Sequence, residues 1–196
     1  MRLEPDSCWI AGRGGSGGRL SGLARVPRRA RTLTAEEIMT APVKGVPEGA
    51  SVVIPRLFCR DPLAQLQFCK AAFGAVELGR RPGADGKIAH ALITIGPAMV
   101  MIEGEWPAIA NRAPVPDGSS PVALYVYVEN VDDAVDRAVS AGAKILMPLQ
   151  NQFWGDRTAW IMDPSAHVWT VASRVEEPTE EERQQRLARL HAKPGS

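Results

Sequence analysis

Residues 151–170 read NQFWGDRTAWIMDPSAHVWT and carry the strongest local signals for the fold. The run from about Asp156 to Met162 has the composition of a strand, and a second strand ends at Ala172. Asp163-Pro164-Ser165 between them predicts a turn, because proline fixes φ and the aspartate side chain accepts hydrogen bonds from the backbone beyond it. Since this hairpin is rich in aromatic residues that need a partner surface, we expect it to close a larger sheet.

Upstream of this stretch, the sequence predicts a strand, a helix and three more strands. Val52–Cys59 reads as a strand, in which Pro55 indicates an edge or bulged position because proline cannot donate to a ladder. Asp61-Pro62 predicts a helix start, and Gly74 predicts the end of that helix. Three strands follow, at Val76–Arg81, Lys87–Ile95 and Ala98–Glu103. Asp85-Gly86 predicts a hairpin between the first two of them.

The same order of elements occurs again around residues 151–170. Val122–Val128 reads as a strand, Asn130 caps a helix that ends at Gly142, and Ile145–Met147 is a short strand before the hairpin. A single βαβββ unit would leave one face of its sheet exposed, so we expect the two units to pair over a shared cleft. The sequence therefore predicts an α+β fold of two βαβββ modules, at about 51–104 and 121–173, with a proline-rich linker at 105–120.

The two ends of the chain differ from the modules. Residues 1–38 interleave glycine and arginine and cannot bury enough apolar area to offset their ordering entropy, so we expect a disordered extension. An over-extended start, with Met39 as the real first residue, is one alternative; a transit peptide or a basic nucleic-acid arm is another. Residues 176–196 predict a polar helix and tail that open near Pro178-Thr179, with Glu182 and Arg186 spaced to pair.

Composition excludes several classes of protein. The chain has 196 residues, and its 23 Lys and Arg against 22 Asp and Glu give a net charge of +1, which offers no electrostatic reason to expect nucleic acid. No apolar run approaches the length of a membrane span, and no secretory signal is visible. Cys8, Cys59 and Cys69 lack the spacing of a disulfide framework or a zinc site. We expect Cys59 and Cys69 to be small buried hydrophobes in a protein of the reducing cytoplasm.

Four segments together carry a resemblance: Asp61…Phe68-Cys69-Lys70-Ala71-Ala72-Phe73-Gly74-Ala75, Asp85-Gly86-Lys87-Ile88-Ala89-His90-Ala91, Phe153-Trp154-Gly155-Asp156-Arg157 and Asp163-Pro164…His167-Val168-Trp169. Over about 45–182 the chain resembles the vicinal oxygen chelate superfamily of glyoxalases, bleomycin-resistance proteins and dioxygenases, and more narrowly its PhnB-like branch. The resemblance implies a domain over about 45–175 whose paired modules form a curved mixed-sheet cup, and it implies a homodimer.

Enzymes of that superfamily hold a divalent metal through side chains on the first and last strands of each module. Mapped by strand position, these four places fall on Ile54, Met101, Ala123 and Thr170. Metals of this kind need His, Glu, Gln or Asp, so we expect no metal and no other cofactor. A register slip of two would bring in Glu103, but one carboxylate does not make a metal site.

Strand alternation selects the residues that share a face with those places. Arg56, Glu103 and Tyr125 join Ile54, Met101, Ala123 and Thr170 as ligand-binding candidates that line the cleft. The alternative for Arg56 and Glu103 is an ion pair with each other or exposure at the sheet edge. His90 is expected to be a satisfied structural histidine, and His167 to point away from Thr170 into packing or a turn.

Trp154 and Arg157 flank Gly155-Asp156 at the mouth of a strand. Tryptophan offers a flat stacking surface and arginine a fork for an anionic group, so both are ligand-binding candidates. For Arg157 the structural alternative is an ion pair with Asp156 or Asp163 that fixes the hairpin. No catalytic residue is assigned, because no order of Ser, His and Asp or of Cys and His is recognisable.

Three hypotheses of function follow. The first is a metal-independent protein of the bleomycin-resistance type that binds a small aromatic or amphipathic molecule in the cleft, with neither nucleic acid nor membrane as partner. The second is a metal-dependent lyase or dioxygenase with atypical ligands. The third is a protein whose dimer surface, rather than its cleft, carries the function.

Overall fold

The computed structural model describes residues 45–116 and 120–192, so the predicted extension at 1–38 lies outside the described residues. The chain divides into two compact units, Met1–Val52 and Val53–Ser196. Of the first unit, the described residues from 45 onward contain a turn, in which the Ala50 N–H donates to the Pro47 carbonyl. In the described part of the chain, the strands, helices and candidate site all belong to the second unit.

The first module of the second unit is one helix on one four-stranded sheet. Its elements are β1 (Arg56–Cys59), α1 (Pro62–Phe73), β2 (Val76–Pro82), β3 (Ile88–Ile95) and β4 (Ala98–Gly104). The strand order is β1-β4-β3-β2, with β1 parallel to β4 and the other pairs antiparallel. The sequence signals for α1 are confirmed: Asp61 accepts from the N–H groups of Leu63 and Ala64, and Gly74 ends the helix with a φ of 65°.

The second module repeats the first. Its elements are β5 (Ala123–Tyr127), α2 (Val131–Ser140), β6 (Lys144–Asn151), β7 (Asp156–Met162) and β8 (Val168–Arg174). The strand order β5-β8-β7-β6 is that of the first sheet, again with a parallel pair, β5 and β8. A 3-10 helix, Pro107–Ile109, lies in the expected linker. The α+β fold of two βαβββ modules is therefore confirmed.

Two strands differ most in extent from the expectation, and β8 also runs to Arg174, two residues beyond the end expected at Ala172. β1 begins at Arg56 rather than Val52, and Val52 and Val53 are exposed. The reason is the partner: pairing with β4 begins where Arg56 faces Met101. β6 runs to Asn151, well beyond the short strand expected at Ile145–Met147, because β7 pairs along it through two irregular steps.

The core lies between the helices and one face of each sheet. α1 and α2 pack on each other, and the largest buried apolar side chains come from both modules: Leu66, Phe68, Ile93, Ile102, Val131, Ile161 and Val171. Across the modules, the rings of Phe73 and Trp169 lie 4.9 Å apart. Strand hydrogen bonds form two separate four-stranded sheets in the described residues, so each sheet keeps a second face that its own helix does not cover. We call these the open faces.

The C-terminal segment forms α3 (Glu180–His191), with no buried residue. Its cap is Thr179, which shares a capping box with Glu182. The expected pairing of Glu182 with Arg186 is replaced by another, because Arg186 binds Glu176 before the helix, with Nη2 and Oε2 3.0 Å apart. Among the described residues, no helix has both the length and the apolar character needed to span a bilayer.

Candidate functional site

The strand registers decide which candidate residues share an open face. In the first sheet Arg56 lies opposite Met101, and Phe58 lies opposite Glu103. Ile54 precedes β1, so Arg56 rather than Ile54 is the residue beside Met101 on the last strand of the module. Side chains of paired residues point to the same side, and Glu103 is in turn paired with His90 of β3.

The second sheet repeats this arrangement with different chemistry. Tyr125 lies opposite Thr170. Ala123 lies opposite Val168, two residues before Thr170, which the sequence mapping had put beside it. Thr170 is in turn paired with Trp160 of β7. The open face of this sheet therefore carries a small residue, Thr170, between the side chains of Tyr125 and Trp160, which are 48% and 44% exposed.

On the first open face, Arg56, His90 and Glu103 form a group that we call the Glu103 cluster. Arg56 binds the carboxylate with two nitrogens, at 3.1 Å from Nε to Oε1 and 2.6 Å from Nη2 to Oε2. His90 Nδ1 lies 3.2 Å from Oε1. The Arg56 guanidinium also lies 5.3 Å from the centre of the Phe58 ring, within range of a cation–π contact.

The Glu103 cluster stabilises the ionised carboxylate. Burial alone would raise the pKa of Glu103, but the hydrogen bonds from His90 and Arg56 and the charge of Arg56 outweigh it and lower the pKa to about 2. The alternative in which Arg56 and Glu103 pair with each other is confirmed. Arg56 is still half exposed, and the pair leaves its Nη1 nitrogen directed elsewhere than Glu103.

On the second open face, the carboxylate of Asp156 contacts four other side chains, and we call the five together the Asp156 cluster: Tyr125, Tyr127, Trp154, Asp156 and Arg174. Asp156 is 1% exposed. Its Oδ2 accepts from the hydroxyl of Tyr125 at 2.8 Å, the hydroxyl of Tyr127 at 2.9 Å and Nε1 of Trp154 at 2.9 Å. Its Oδ1 faces Nε of Arg174 at 2.9 Å, an ion pair without the alignment of a hydrogen bond.

These contacts decide the charge states in the Asp156 cluster. Burial would raise the pKa of Asp156, but the three hydrogen bonds and the charge of Arg174 outweigh it, so the pKa lies below its usual value. Burial, and then the neighbouring Asp156 carboxylate, raise the pKa of Tyr125 well above its usual value. The cluster therefore holds an ionised aspartate and a protonated phenol at neutral pH.

A tight turn before β7 positions the Asp156 cluster. Gly155 has a φ of 99°, and a Cβ there would collide with the Glu176 carbonyl oxygen and lie 2.6 Å from Pro178. The Gly155 carbonyl accepts from the N–H groups of Val175 and Glu176, and Arg174 donates to the Trp154 carbonyl at 2.9 Å. The chain after β8 is thus held against this turn, which brings Trp154 beside the tyrosines of β5.

Arg157 takes the structural role, but with a partner that the sequence did not indicate. Its Nε and Nη2 donate to Asp132 on α2 at 2.9 and 2.7 Å, and its Nη1 donates to Asn151. The expected pairing with Asp156 or Asp163 is wrong, since alternation turns Arg157 to the helix side of β7, away from Asp156. Its hydrogen-bond partners in the described residues, Asp132 and Asn151, do not belong to either cluster.

His167 lies in the turn before β8, as expected. It is buried, and its N–H donates to the Asp163 carboxylate at 2.9 Å. Its Nδ1 lies 3.4 Å from that carboxylate without a hydrogen bond. The histidine that joins a candidate site is therefore His90, through Glu103.

Sequence reasoning missed four residues that the structure brings into the two clusters: His90, Tyr127, Asp156 and Arg174. Strand alternation held a usable signal for Tyr127, two positions after Tyr125, and for His90. Asp156 and Arg174 carried none, because their roles depend on a loop and on β8 meeting β7. The candidates thus fall into two groups, one on each sheet. Met101 lies beside the Glu103 cluster, to which Arg56 belongs, and Thr170 and Ala123 lie beside the Asp156 cluster.

The donor set at the four strand positions does not fit a divalent metal. Ile54 and Ala123 carry no donor atom, Met101 offers a thioether sulfur and Thr170 a neutral hydroxyl. The observed register brings a guanidinium and a protonated phenol to the first-strand positions instead. Across residues 45–116 and 120–192, no three His, Cys, Asp or Glu side chains form a group suited to hold a metal ion.

The chain belongs to the Glyoxalase/Bleomycin resistance protein/Dioxygenase superfamily, whose family model matches residues 51–171. Among curated proteins, an uncharacterized protein of Mycobacterium bovis is 37% identical over 126 residues, which cover 63% of this chain and 83% of that protein. An uncharacterized protein of Mycobacterium tuberculosis is also 37% identical over 126 residues, covering 63% of this chain and 74% of that protein.

Solved structures share the fold. TioX from Micromonospora sp. ML1 is 28% identical, with a TM-score of 0.51 over 64% of this chain and 100% of that chain. A glyoxalase/bleomycin resistance protein/dioxygenase family enzyme from Burkholderia phytofirmans PsJN has a TM-score of 0.53 over 64% of this chain and 100% of that chain. The latter is 18% identical, so its likeness concerns the fold alone.

Proposed function

We propose that this protein binds a small aromatic or amphipathic molecule on its open faces without a metal ion, in the manner of a bleomycin-resistance protein. One observation carries the proposal: the positions at which this superfamily places metal ligands hold Met101 and Thr170, and an aromatic row lies beside Thr170. Tyr125 and Trp160, each almost half exposed, stand on either side of Thr170. A small floor between aromatic walls suits a flat apolar ligand.

The polar groups of the two open faces complement this apolar floor. Binding sites commonly combine apolar surface with a few fixed polar groups that orient the ligand. The Glu103 cluster and the Asp156 cluster supply such groups, and hydrogen bonds to buried carboxylates hold both in place. Preorganised polar groups lower the entropy that a ligand must lose on binding.

The finer parts of the proposal concern branch, assembly and compartment. We place the chain in the PhnB-like branch on the four sequence segments that resemble it. A homodimer is proposed because the open face of the second sheet presents large exposed side chains, among them Tyr127 at 58% and Trp160 at 44%. A cytoplasmic location agrees with two free buried thiols, Cys59 and Cys69, of which burial raises the Cys59 pKa to about 12.

A thermal-shift screen of the purified full chain against planar aromatic compounds tests the proposal. At a ligand concentration a hundredfold above Kd, the melting temperature should rise by about 5–10 °C. Ala123→Trp, which fills the open face, should abolish that rise, while Ala188→Trp on exposed α3 should not. If no aromatic compound stabilises the protein, the proposal fails.

Elemental analysis tests the proposal that no metal ion is bound, and light scattering tests the proposed homodimer. Purified protein should hold no stoichiometric Ni, Zn, Mn or Fe, and adding these ions should leave the melting temperature unchanged. Stoichiometric metal would favour the lyase or dioxygenase alternative. Light scattering should give twice the mass of one chain, and a monomeric mass would contradict the dimer.

A further inference from the structure

Hydrogen-bond direction in the Asp156 cluster restricts what its tyrosines can offer a ligand. A phenol has one proton to donate, and Tyr125 and Tyr127 both give theirs to Oδ2 of Asp156, at 2.8 and 2.9 Å. Trp154 gives its only side-chain proton to the same oxygen. The two phenols and the indole therefore have no O–H or N–H left to donate to a ligand, and the phenol oxygens can act only as acceptors.

The two phenol oxygens are not equivalent. Burial would lower the pKa of Arg174, but the charge of Asp156 and an interaction with Tyr127 outweigh it and raise the pKa. The guanidinium of Arg174 thus lies beside Tyr127, where its positive charge would repel an ammonium group. Tyr125 is the other phenol of the cluster, and 48% of this residue is exposed. A hydrogen bond donated to a buried carboxylate polarises a phenol and makes its oxygen a better acceptor.

Aromatic rings surround this acceptor. The ring of Tyr127 lies 5.2 Å from that of Tyr125, and Trp160 shares the open face across Thr170. The faces of such rings attract cations, and a nearby ammonium group gains from both the ring and a phenol oxygen. A carboxylate in the same place would meet the lone pairs of Tyr125, because the guanidinium of Arg174 is turned to Oδ1 of Asp156 and to the Trp154 carbonyl, each 2.9 Å away.

We propose that the Asp156 cluster is a subsite for a protonated amine, and that it selects aromatic ligands that carry an ammonium group over those that carry a carboxylate. Tyr125 Oη accepts the N–H of the ligand, Asp156 fixes the direction of that hydrogen bond, and the aromatic row holds the ring of the ligand. This inference rests on the proposed binding of aromatic molecules and adds the sign of the charge that the site prefers.

Three indole compounds that share one ring system test the amine subsite separately from the proposed binding of aromatic molecules. Calorimetry with the full chain compares 3-methylindole, tryptamine and indole-3-propionate, which are neutral, cationic and anionic at pH 7. Tryptamine should bind about tenfold more tightly than 3-methylindole, and indole-3-propionate more weakly than both. If 3-methylindole binds and tryptamine gains nothing over it, the amine subsite is overturned while aromatic binding stands. If none of the three binds, the amine subsite is overturned, and the thermal-shift screen alone decides whether the protein binds aromatic molecules.

Two variants test whether the preference for tryptamine comes from the Asp156 cluster. Tyr125→Phe keeps the ring and removes the acceptor, so it should reduce the advantage of tryptamine over 3-methylindole by about fivefold. Asp156→Asn should reduce that advantage as well, and Asp132→Asn, a matched loss of charge in the same module, should not. An advantage of tryptamine that survives Tyr125→Phe unchanged would overturn the inference, whatever the folding of the Asp156 variant.

Discussion

Gln65 of α1 and Asp163 of the turn before β8 are 98 positions apart and joined by a buried 2.7 Å hydrogen bond from Nε2 to Oδ2. Asp163 also accepts from the N–H groups of Ser165 and His167 and from Nε1 of Trp169, at 2.9, 2.9 and 2.8 Å. The carboxylate thus connects the helix of one module with the hairpin of the other. A buried charge needs donors of this kind to remain ionised without a large cost.

Replacing Gln65 should therefore weaken the joint between the modules. Gln65→Leu keeps the approximate volume and removes one donor from Asp163, so we expect a loss of about 1.5–3 kcal/mol in the free energy of unfolding. Urea denaturation measures it. Gln184→Ala on exposed α3 is the control and should change stability by less than about 0.5 kcal/mol. Equal losses in the two variants would contradict a special role for the Gln65–Asp163 hydrogen bond.

Gly155 should be the least replaceable glycine of the second module. Gly155→Ala adds a Cβ at a φ of 99°, against the Glu176 carbonyl and Pro178, so we expect a loss of about 1–3 kcal/mol. Gly79→Ala is the matched control, because a Cβ at Gly79 meets nothing within 4 Å. Thermal unfolding measures both. Since Gly155 positions the Asp156 cluster, the folded Gly155→Ala variant should also bind aromatic ligands less tightly than the Gly79 variant does.

Local signals in the sequence predicted the helices better than the strand ends. Asp61, Gly74 and Asn130 act through their own backbone neighbours, so a single sequence suffices to place helix starts and ends. The length of β1 depends instead on where β4 begins to face it, which no local signal records. That is why Val52 and Val53 have strand composition without being in a strand.

The same distinction between local and long-range signals applies to the candidate site. Strand alternation placed Arg56, Glu103 and Tyr125 on the faces where the structure has them, because period two needs only neighbouring positions. The partner of a charged group is a long-range property. Arg157 binds a helix residue 25 positions away, and Asp156 binds tyrosines of β5 at 31 and 29 positions. Periodicity carries no information on such contacts.

Stability should depend on pH through Glu103. The pKa of Glu103 in the folded chain is about 2, below the value of 4.5 for a free side chain, so the ionised form stabilises the fold above pH 4.5. This contribution is lost as the pH falls from 4.5 towards 2. Glu103→Gln should cost about 1 kcal/mol at pH 6, since Arg56 is half exposed and solvent weakens the pair.

The difference between Glu103→Gln and the unmodified chain is the quantity to follow, because other acidic groups titrate in both proteins. Urea denaturation at pH 6, 4, 3 and 2.5 should show this difference shrinking towards zero. A difference that stays constant over that range would show that the Glu103 carboxylate gains nothing from His90 and Arg56.

The ion pair of Arg157 and Asp132 should support the fold without touching the ligand. Both side chains are partly exposed and solvent screens the pair, so Arg157→Gln and Asp132→Asn should each lower the melting temperature only slightly, and the double variant little more than either. Because Arg157 faces α2 rather than the open face, the affinity for any aromatic ligand found should stay within about twofold in all three variants. A tenfold loss of ligand affinity in Arg157→Gln, with the affinity of Asp132→Asn unchanged, would instead show that Arg157 takes part in ligand binding.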